Sequence, residues 1–150
     1  MNPYARFALM LLTSGLLMYG LMYLHTYEPG HVFFSQTRAW MTVIMVSGMA
    51  IVMLGFMRHM YKDRNANLAI FGLALAVFGG SLWLMRSQAT VDDVAYMKGM
   101  IPHHSIAILT SKRADIQDPR VRELADEIIA AQEREIGEMK ALIRDIESKE

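Results

Sequence analysis

The sequence predicts an all-α fold in which three transmembrane helices precede a soluble helical hairpin. Two observations carry this prediction. Three long apolar runs without charged residues occupy the first half of the 150-residue chain, which is 53% hydrophobic overall. In the second half, apolar residues recur every three or four positions, the spacing typical of an amphipathic helix. No segment shows the sustained alternating pattern of a β-strand.

The three apolar runs have the length that a lipid bilayer requires. They comprise residues 7–24, 39–57 and 68–85, of 18, 19 and 18 residues. A helix needs about 17–25 apolar residues to cross the hydrocarbon core, and within that core a helix satisfies its own backbone polar groups. We therefore predict a three-span membrane anchor over residues 1–86.

The first run also has features of a secretory signal peptide, because Arg6 precedes an apolar stretch. The apolar region of a signal peptide has about 7–15 residues and ends at a small-x-small cleavage site. The run is longer than this, and no such site follows it at positions 25–28. We therefore expect a retained transmembrane helix rather than a cleaved signal.

The distribution of charge predicts how the chain is oriented. Residues 1–86 carry a net charge of +4, and residues 87–150 carry −4. The loop 58–67 contains three Lys/Arg, whereas the loop 25–38 contains one. Positively charged loops remain in the cytoplasm, so we predict a bacterial inner-membrane protein with a cytoplasmic N-terminus and a periplasmic second half. Arg86, on the periplasmic side, departs from this rule.

The second half of the chain predicts two helices joined by a short turn. The predicted helices comprise residues 91–114 and 119–147. Thr90 and Asp93 have the spacing of a capping box at the start of the first helix, and Asp118 followed by Pro119 is typical of the start of the second. Pro102 lacks the N–H that an internal helix residue donates, so we expect the first helix to kink or restart there.

This hairpin is expected to need a partner. A soluble domain of about sixty residues, here residues 87–150, is marginally stable alone. The last helix carries a long apolar stripe, interrupted once by a glutamine: Val121, Leu124, Ile128, Gln132, Ile136, Met139, Ile143 and Ile146. A second copy of the chain would complete a four-helix bundle, so we expect a homo-oligomer.

Composition disfavours several classes of function. The chain has no Cys, which excludes a disulfide scaffold and a cysteine metal site. Its 15 Lys/Arg balance its 15 Asp/Glu and form no basic patch, so no nucleic-acid partner is expected. No nucleophile–base pair or phosphate-binding loop is visible in the sequence, and we do not expect an enzyme.

Methionine and histidine side chains cluster in the first predicted helix of the second half. Met97, Met100 and His104 occupy positions i, i+3 and i+7 and so share one helix face. A kink at Pro102 would bring His103 towards the same face. Thioether and imidazole groups suit copper, and thioethers favour Cu(I). In the alternative interpretation, the methionines fill the hydrophobic core and the histidines lie on the surface.

The segment that contains these residues resembles a known family. Residues 93–104, DVAYMKGMIPHH, closely resemble the signature of domain-of-unknown-function family 305. This is the CopM-like group of ferritin-like helical domains associated with periplasmic copper. The similarity covers residues 92–146 and includes the element Gln132-x-x-Glu135-Ile136-x-x-Met139.

The resemblance implies that Met and His side chains bind copper. The implied ligands are Met97, Met100, His103, His104 and Met139. Gln132 and Glu135 also match the motif, and we expect them to orient the ligands through hydrogen bonds. Family members often carry further methionines at the positions of Ile106 and Thr110, so we expect fewer bound ions or weaker sites in this chain.

Three further histidines are weaker metal candidates: His25, His31 and His59. His25 and His31 lie in the loop that is predicted to face the periplasm, on the side of the soluble domain. The favoured interpretation of this loop is interfacial, with Tyr27, Phe33 and Phe34 anchored among the lipid headgroups.

The predicted function is copper sequestration, buffering or delivery in the periplasm by a membrane-anchored protein, with the lipid bilayer and a copper ion as its partners. One alternative is a membrane scaffold that binds another protein without metal. Another is a Cu(I) transporter lined by the methionines that recur every fourth residue from Met41 to Met57. Four residues turn a helix by about 400°, so five such methionines wind about 160° around it, and packing between the spans is favoured.

Overall fold

The computed structural model describes residues 2–149, which form five α-helices and no β-strand. The helices are α1 (Pro3–Leu21), α2 (Gln36–Phe56), α3 (Arg64–Ser87), α4 (Asp93–Arg113) and α5 (Pro119–Glu147). A short 3-10 turn, Pro29–His31, lies between α1 and α2. The predicted all-α class is confirmed.

Helices α1, α2 and α3 are long and apolar enough to cross a membrane, with mean hydropathies of 1.3, 2.0 and 2.1. α1 and α3 each start four residues before the predicted apolar run, because polar residues cap their first turns. The Asn2 side chain accepts a hydrogen bond from the Tyr4 N–H, and the Asp63 side chain accepts from the N–H groups of Asn65 and Ala66. A hydrophobic run therefore locates such a helix without including its cap.

The chain divides into two compact units. The first contains the chain up to Met22 together with Thr37–Thr90. Its buried core is small: Phe7, Ala50, Leu54, Tyr61 and Ala74. Large apolar side chains remain exposed on its helices, and Leu16 and Phe56 expose 77% and 85% of their surface. Such a surface is consistent with helices that are surrounded by lipid.

The second unit contains the α4–α5 hairpin and one additional segment. It comprises Tyr23–Gln36, which we call the strap, and the chain from Val91 onwards. The sequence placed the boundary of the soluble domain at residue 86 and left the strap with the membrane anchor. The structure instead groups the strap with the hairpin, although 54 residues separate them in sequence.

α4 is packed on two sides, by α5 and by the strap. The core of the hairpin consists of Met97, Ile101, Ile108, Ile136 and Ile143. Tyr27 and Phe33 of the strap are partly buried and pack against this core, a contact that the interfacial interpretation of the loop did not include. Phe34 remains 66% exposed. Anchoring of these aromatic side chains among lipid headgroups stays a prediction.

A glycine allows the strap to lie close to α4. A Cβ atom on Gly99 would lie 3.4 Å from the Ser35 Oγ atom, which is near the closest approach that ordinary packing permits. Gly99 belongs to the segment that carries the family resemblance. Its position next to the strap explains why a residue without a side chain suits this point of α4, which the sequence pattern alone did not explain.

The helix ends largely follow the predicted signals. Asp118 caps α5 by accepting from the Arg120 N–H at 2.9 Å, with Pro119 in the first turn, as predicted. α4 is capped by Asp92, which accepts from the Ala95 N–H at 2.7 Å, and not by the predicted Thr90 box. We predicted a kink or a restart at Pro102, and the restart does not occur, because α4 continues through Pro102 without a break. Pro102 is buried there.

The predicted apolar stripe of α5 faces the core over most of its length, but the prediction is wrong at the start of the helix. Ile136 and Ile143 are buried, but Val121 and Leu124 expose 49% and 55% of their surface. Ala125 is buried at this end instead. Residues 124 and 125 differ by about 100° around the helix, so the larger side chain faces outwards and the small one faces inwards.

Replacing Ile101 with Ala should destabilise the second unit by about 2–5 kcal/mol, because deleting buried methyl groups leaves a cavity. Ile101 has no exposed surface. The free energy of opening can be measured by amide hydrogen exchange of α4 and α5 in the full-length protein in detergent. Leu124→Ala is the matched control and should change it by less than about 0.5 kcal/mol. Equal effects of the two substitutions would contradict the core described above.

Candidate metal centre

His104 connects the two helices of the hairpin. Its Nδ1 atom lies 2.9 Å from the Met100 carbonyl oxygen, and its Nε2 atom lies 2.9 Å from Glu135 Oε2. Both partners are hydrogen-bond acceptors, so both ring nitrogens donate only in the imidazolium form. In that form His104 and Glu135 make a charge-assisted bond between α4 and α5.

This contact sets the register of the hairpin. Met100 lies one turn before His104 in α4, and Met139 lies one turn after Glu135 in α5. Because the two helices are antiparallel, Met100 and Met139 lie at the same level, one turn from the His104–Glu135 pair. The structure thus brings two predicted thioethers and one predicted imidazole to one stretch of the hairpin.

The predicted ligands differ in exposure. Met97 is 93% buried and belongs to the hairpin core, where it packs with isoleucines. Met100 and His104 are half-buried, and Met139 packs at the edge of the same core. His103 is exposed, with its ring centroid 6.1 Å from that of His104 and the two rings nearly perpendicular. Only part of the predicted set therefore lies where an ion from solvent could reach it without entering the core.

Glu135 and Gln132, the two residues predicted to orient the ligands, differ in their environments. Glu135 is 40% exposed and contacts His104 directly. Gln132 is half-buried in α5, one turn before Ile136, and makes no hydrogen bond within the described part of the chain. Glu135 thus has the position of a residue that orients His104, while Gln132 remains available for a further partner.

No three His, Asp or Glu side chains in residues 2–149 are grouped so that they could hold a metal ion together. In the hairpin, Met100, Met139 and His104 would offer an ion two thioethers and one imidazole. Such a donor set suits soft ions such as Cu(I).

The three weaker candidates are far less suited to bind a metal together. His59 is exposed in the first unit, and His25 is exposed in the strap. His31 is buried, and its Nδ1 lies 3.0 Å from the Ser105 Oγ atom. Burial and the nearby Lys140 ammonium lower the pKa of His31, with Glu28 opposing the shift. An environment that resists a proton also resists a metal cation.

Comparison with known proteins gives these residues a family context. Residues 93–150 match the family described as Domain of unknown function (DUF305). The chain is also 34% identical over 107 residues to Uncharacterized protein L153 of Acanthamoeba polyphaga mimivirus, and the similarity covers 69% of this chain and 68% of that protein. The chain belongs to the DUF305 family. No solved structure matches the chain.

The similarity to the viral protein continues beyond the DUF305 domain. The matched 107 residues exceed the length of segment 93–150, so the alignment includes residues that precede Asp93. The family assignment from the motif in residues 93–104 is confirmed. Copper binding by this DUF305 domain stays a prediction.

Sequence reasoning missed the residue through which the strap attaches to the DUF305 domain. Ser105 has no exposed surface, and its Oγ atom accepts a hydrogen bond from the Tyr27 N–H at 2.7 Å. Lys112 adds a second attachment, with its Nζ atom 4.6 Å from the centre of the Tyr27 ring. The available signal was weak: a single serine directly after two histidines in an otherwise apolar helix turn.

Glu135→Gln should weaken the contact between the helices of the DUF305 domain. Gln can still accept a hydrogen bond but carries no charge, and a partly exposed ion pair contributes about 0.2–1 kcal/mol. Amide hydrogen exchange in α4 should report a loss of this size. Glu127→Gln, on an exposed part of α5, is the control and should have no effect. A double substitution with His104→Gln should add little to the single one, and full additivity would contradict the pairing.

Proposed function

We propose that the chain is a membrane-anchored copper-binding protein whose hairpin takes up Cu(I) through Met and His side chains. The observation that carries this proposal is the orientation of His104. Its Nδ1 atom is fixed on the Met100 carbonyl, which is the arrangement that a metal-binding histidine commonly adopts. Its Nε2 atom is thereby directed towards α5, one turn from the level of Met100 and Met139.

In this proposal, copper binds His104 through its Nε2 atom. Glu135 would release the ring and turn towards solvent, which its 40% exposure permits. The Met100 and Met139 thioethers would complete the donor set with neutral, soft atoms, as Cu(I) prefers. Glu135 would remain close as a counter-charge to the bound ion. The bound copper would supply the chemistry of storage or transfer rather than a catalytic step.

The other two predicted ligands have distinct roles in the proposal. His103 is exposed and adjacent to His104, so it would capture the ion at the surface or pass it on. Met97 receives the weakest support, because its sulfur lies in a core lined by isoleucines. We propose Met100, His104 and Met139 as the principal ligands.

The proposal places the hairpin outside the cytoplasm. The strap and α4 are separated in sequence by α2 and α3, two helices that can each cross a membrane. Two crossings return the chain to the same side, which fits the contact between strap and α4. The loop that carries three Lys/Arg, 58–67, would then face the cytoplasm. We therefore propose a location in a bacterial inner membrane, with the hairpin in the periplasm.

A homo-oligomer is part of the proposal as well. α5 exposes Val121, Leu124 and Leu142 to solvent at 49%, 55% and 52%. These side chains support a contact with another copy of the chain. They equally favour the scaffold alternative, in which the hairpin binds another protein and its Met and His residues have no metal role.

The methionine row of α2 gives little support to a transport function. Met41 and Met45 are each 40% exposed on the surface of the unit, whereas Met53 and Met57 are partly buried against its core. The row therefore passes from one side of α2 to another, as the helix geometry predicts. A continuous path for copper would need the sulfurs on one side.

Titration of the full-length protein with Cu(I) in detergent tests the proposal, using competition with a chromophoric Cu(I) chelator under anaerobic reducing conditions. The triple variant Met100→Leu, His104→Gln, Met139→Leu should bind Cu(I) at least about tenfold more weakly, the equivalent of about 1.4 kcal/mol. Its volume is nearly conserved, so it should fold.

Met41→Leu, Met45→Leu is the matched control for the titration, and its Cu(I) affinity should equal that of the unmodified protein. If the unmodified protein binds Cu(I) no more tightly than the triple variant, the copper proposal fails and the scaffold alternative is favoured.

A further inference from the structure

The strap is attached to α4 through a buried polar cluster centred on Ser105. The Ser105 Oγ atom accepts from the Tyr27 N–H at 2.7 Å and lies 3.0 Å from His31 Nδ1. Ser105 is completely buried, and His31 exposes 7% of its surface. Because both side chains are buried, water cannot take the place of either hydrogen-bond partner. The attachment of the strap therefore depends on each of these hydrogen bonds.

The cluster is complete only when His31 is neutral. The Tyr27 N–H occupies one lone pair of Ser105 Oγ, and the Ser105 hydroxyl can donate its hydrogen to His31 Nδ1 only when that nitrogen is unprotonated. If Nδ1 carries a proton, Ser105 faces two donors and its own hydrogen loses its acceptor. A buried polar group without a partner is costly, so the packed arrangement selects the neutral ring.

On balance, the charges around His31 also disfavour its protonation. Glu28, in the strap, places Oε2 3.7 Å from His31 Nε2 and favours a proton. From α5, Lys140 lies against the strap, 3.9 Å from where a Cβ atom on Gly30 would be, and opposes a proton. From α4, Lys112 contacts the Tyr27 ring. Burial is the largest influence, followed by Lys140, and together they lower the pKa of His31 below its usual value of about 6.5.

We propose that the strap is an acid-sensitive latch, in which protonation of His31 releases residues 23–36 from α4. Copper binding is not part of this proposal, because neither Ser105 nor His31 is among the ligands proposed above. Residues 88–92 join α3 to α4 covalently in either state. The latch therefore controls whether α4 keeps the strap as a second packing partner besides α5.

The direction of the pH effect follows from proton binding. The released strap has an ordinary histidine that takes up a proton near pH 6.5, while the attached strap takes it up only at lower pH. The attached state is therefore fully stable above about pH 6.5 and loses stability as the pH falls below that value. If His31 stays neutral while attached, the equilibrium constant for release rises about tenfold between about pH 7.5 and 5.5.

Amide hydrogen exchange of the strap tests the latch in the full-length protein in detergent, with rates corrected for the intrinsic effect of pH. The protection of the Tyr27 amide should fall about tenfold from about pH 7.5 to 5.5 in the unmodified protein. His31→Gln keeps a side chain that can accept from Ser105 and does not titrate, so its protection should not change over this range. His25→Gln, the exposed histidine of the same strap, should behave like the unmodified protein.

A second variant keeps the test decisive if His31→Gln fails to fold. Lys140→Met removes a cation that opposes protonation, so its loss of protection between the two pH values should be smaller than in the unmodified protein. Protection that does not change with pH in the unmodified protein would overturn the latch. So would a pH dependence that persists undiminished in His31→Gln or Lys140→Met.

Discussion

α4 has two sides to bury, and the organisation of the second unit depends on how each is covered. In a hairpin of two helices, each helix covers only one side of the other. A domain this short buries little apolar surface, so an uncovered side is costly for its stability. Here α5 covers one side through Ile101, Ile136 and their neighbours, while the strap covers the other through Ser105 and Tyr27. The segment between α1 and α2 is thus a structural part of a domain that begins more than fifty residues later.

Different kinds of interaction stabilise the two sides of α4. The side towards α5 is mainly apolar, and its polar contacts, which include His104–Glu135, Lys98–Glu147 and Lys112–Glu133, lie at the partly exposed edges. The side towards the strap contains a fully buried hydroxyl and a nearly buried imidazole. Apolar contacts tolerate small adjustments, whereas buried hydrogen bonds require a defined geometry and a defined protonation state.

Local signals predicted most of the fold, and long-range contacts account for what they missed. The bilayer-length apolar runs and the Asp118-Pro119 start identified four of the five helices to within a few residues, because helix formation depends on nearby sequence. The attachment of the strap joins residues 78 apart and leaves no periodic trace. The burial of His31 could not be predicted for the same reason, since a histidine in a loop carries no mark of what will cover it.

The candidate site shows a similar limit. Spacing grouped Met97, Met100 and His104 on one helix face, and the family motif added Glu135, whose Oε2 lies 2.9 Å from His104 Nε2 across the hairpin. Spacing did not separate Met97, in the apolar core, from Met100, near the surface. Two methionines differ only in what surrounds their sulfur atoms. These surroundings depend on the fold and cannot be read from the residue type.

The five residues between α3 and α4 determine what a detached hairpin can do. Gln88–Asp92 extend to at most about 18 Å at 3.3–3.6 Å per residue. In the proposed latch, the strap and α4 belong to one chain, so their re-docking would be a unimolecular event, insensitive to how much protein a cell makes. Each molecule would then respond to local acidity reversibly and on its own.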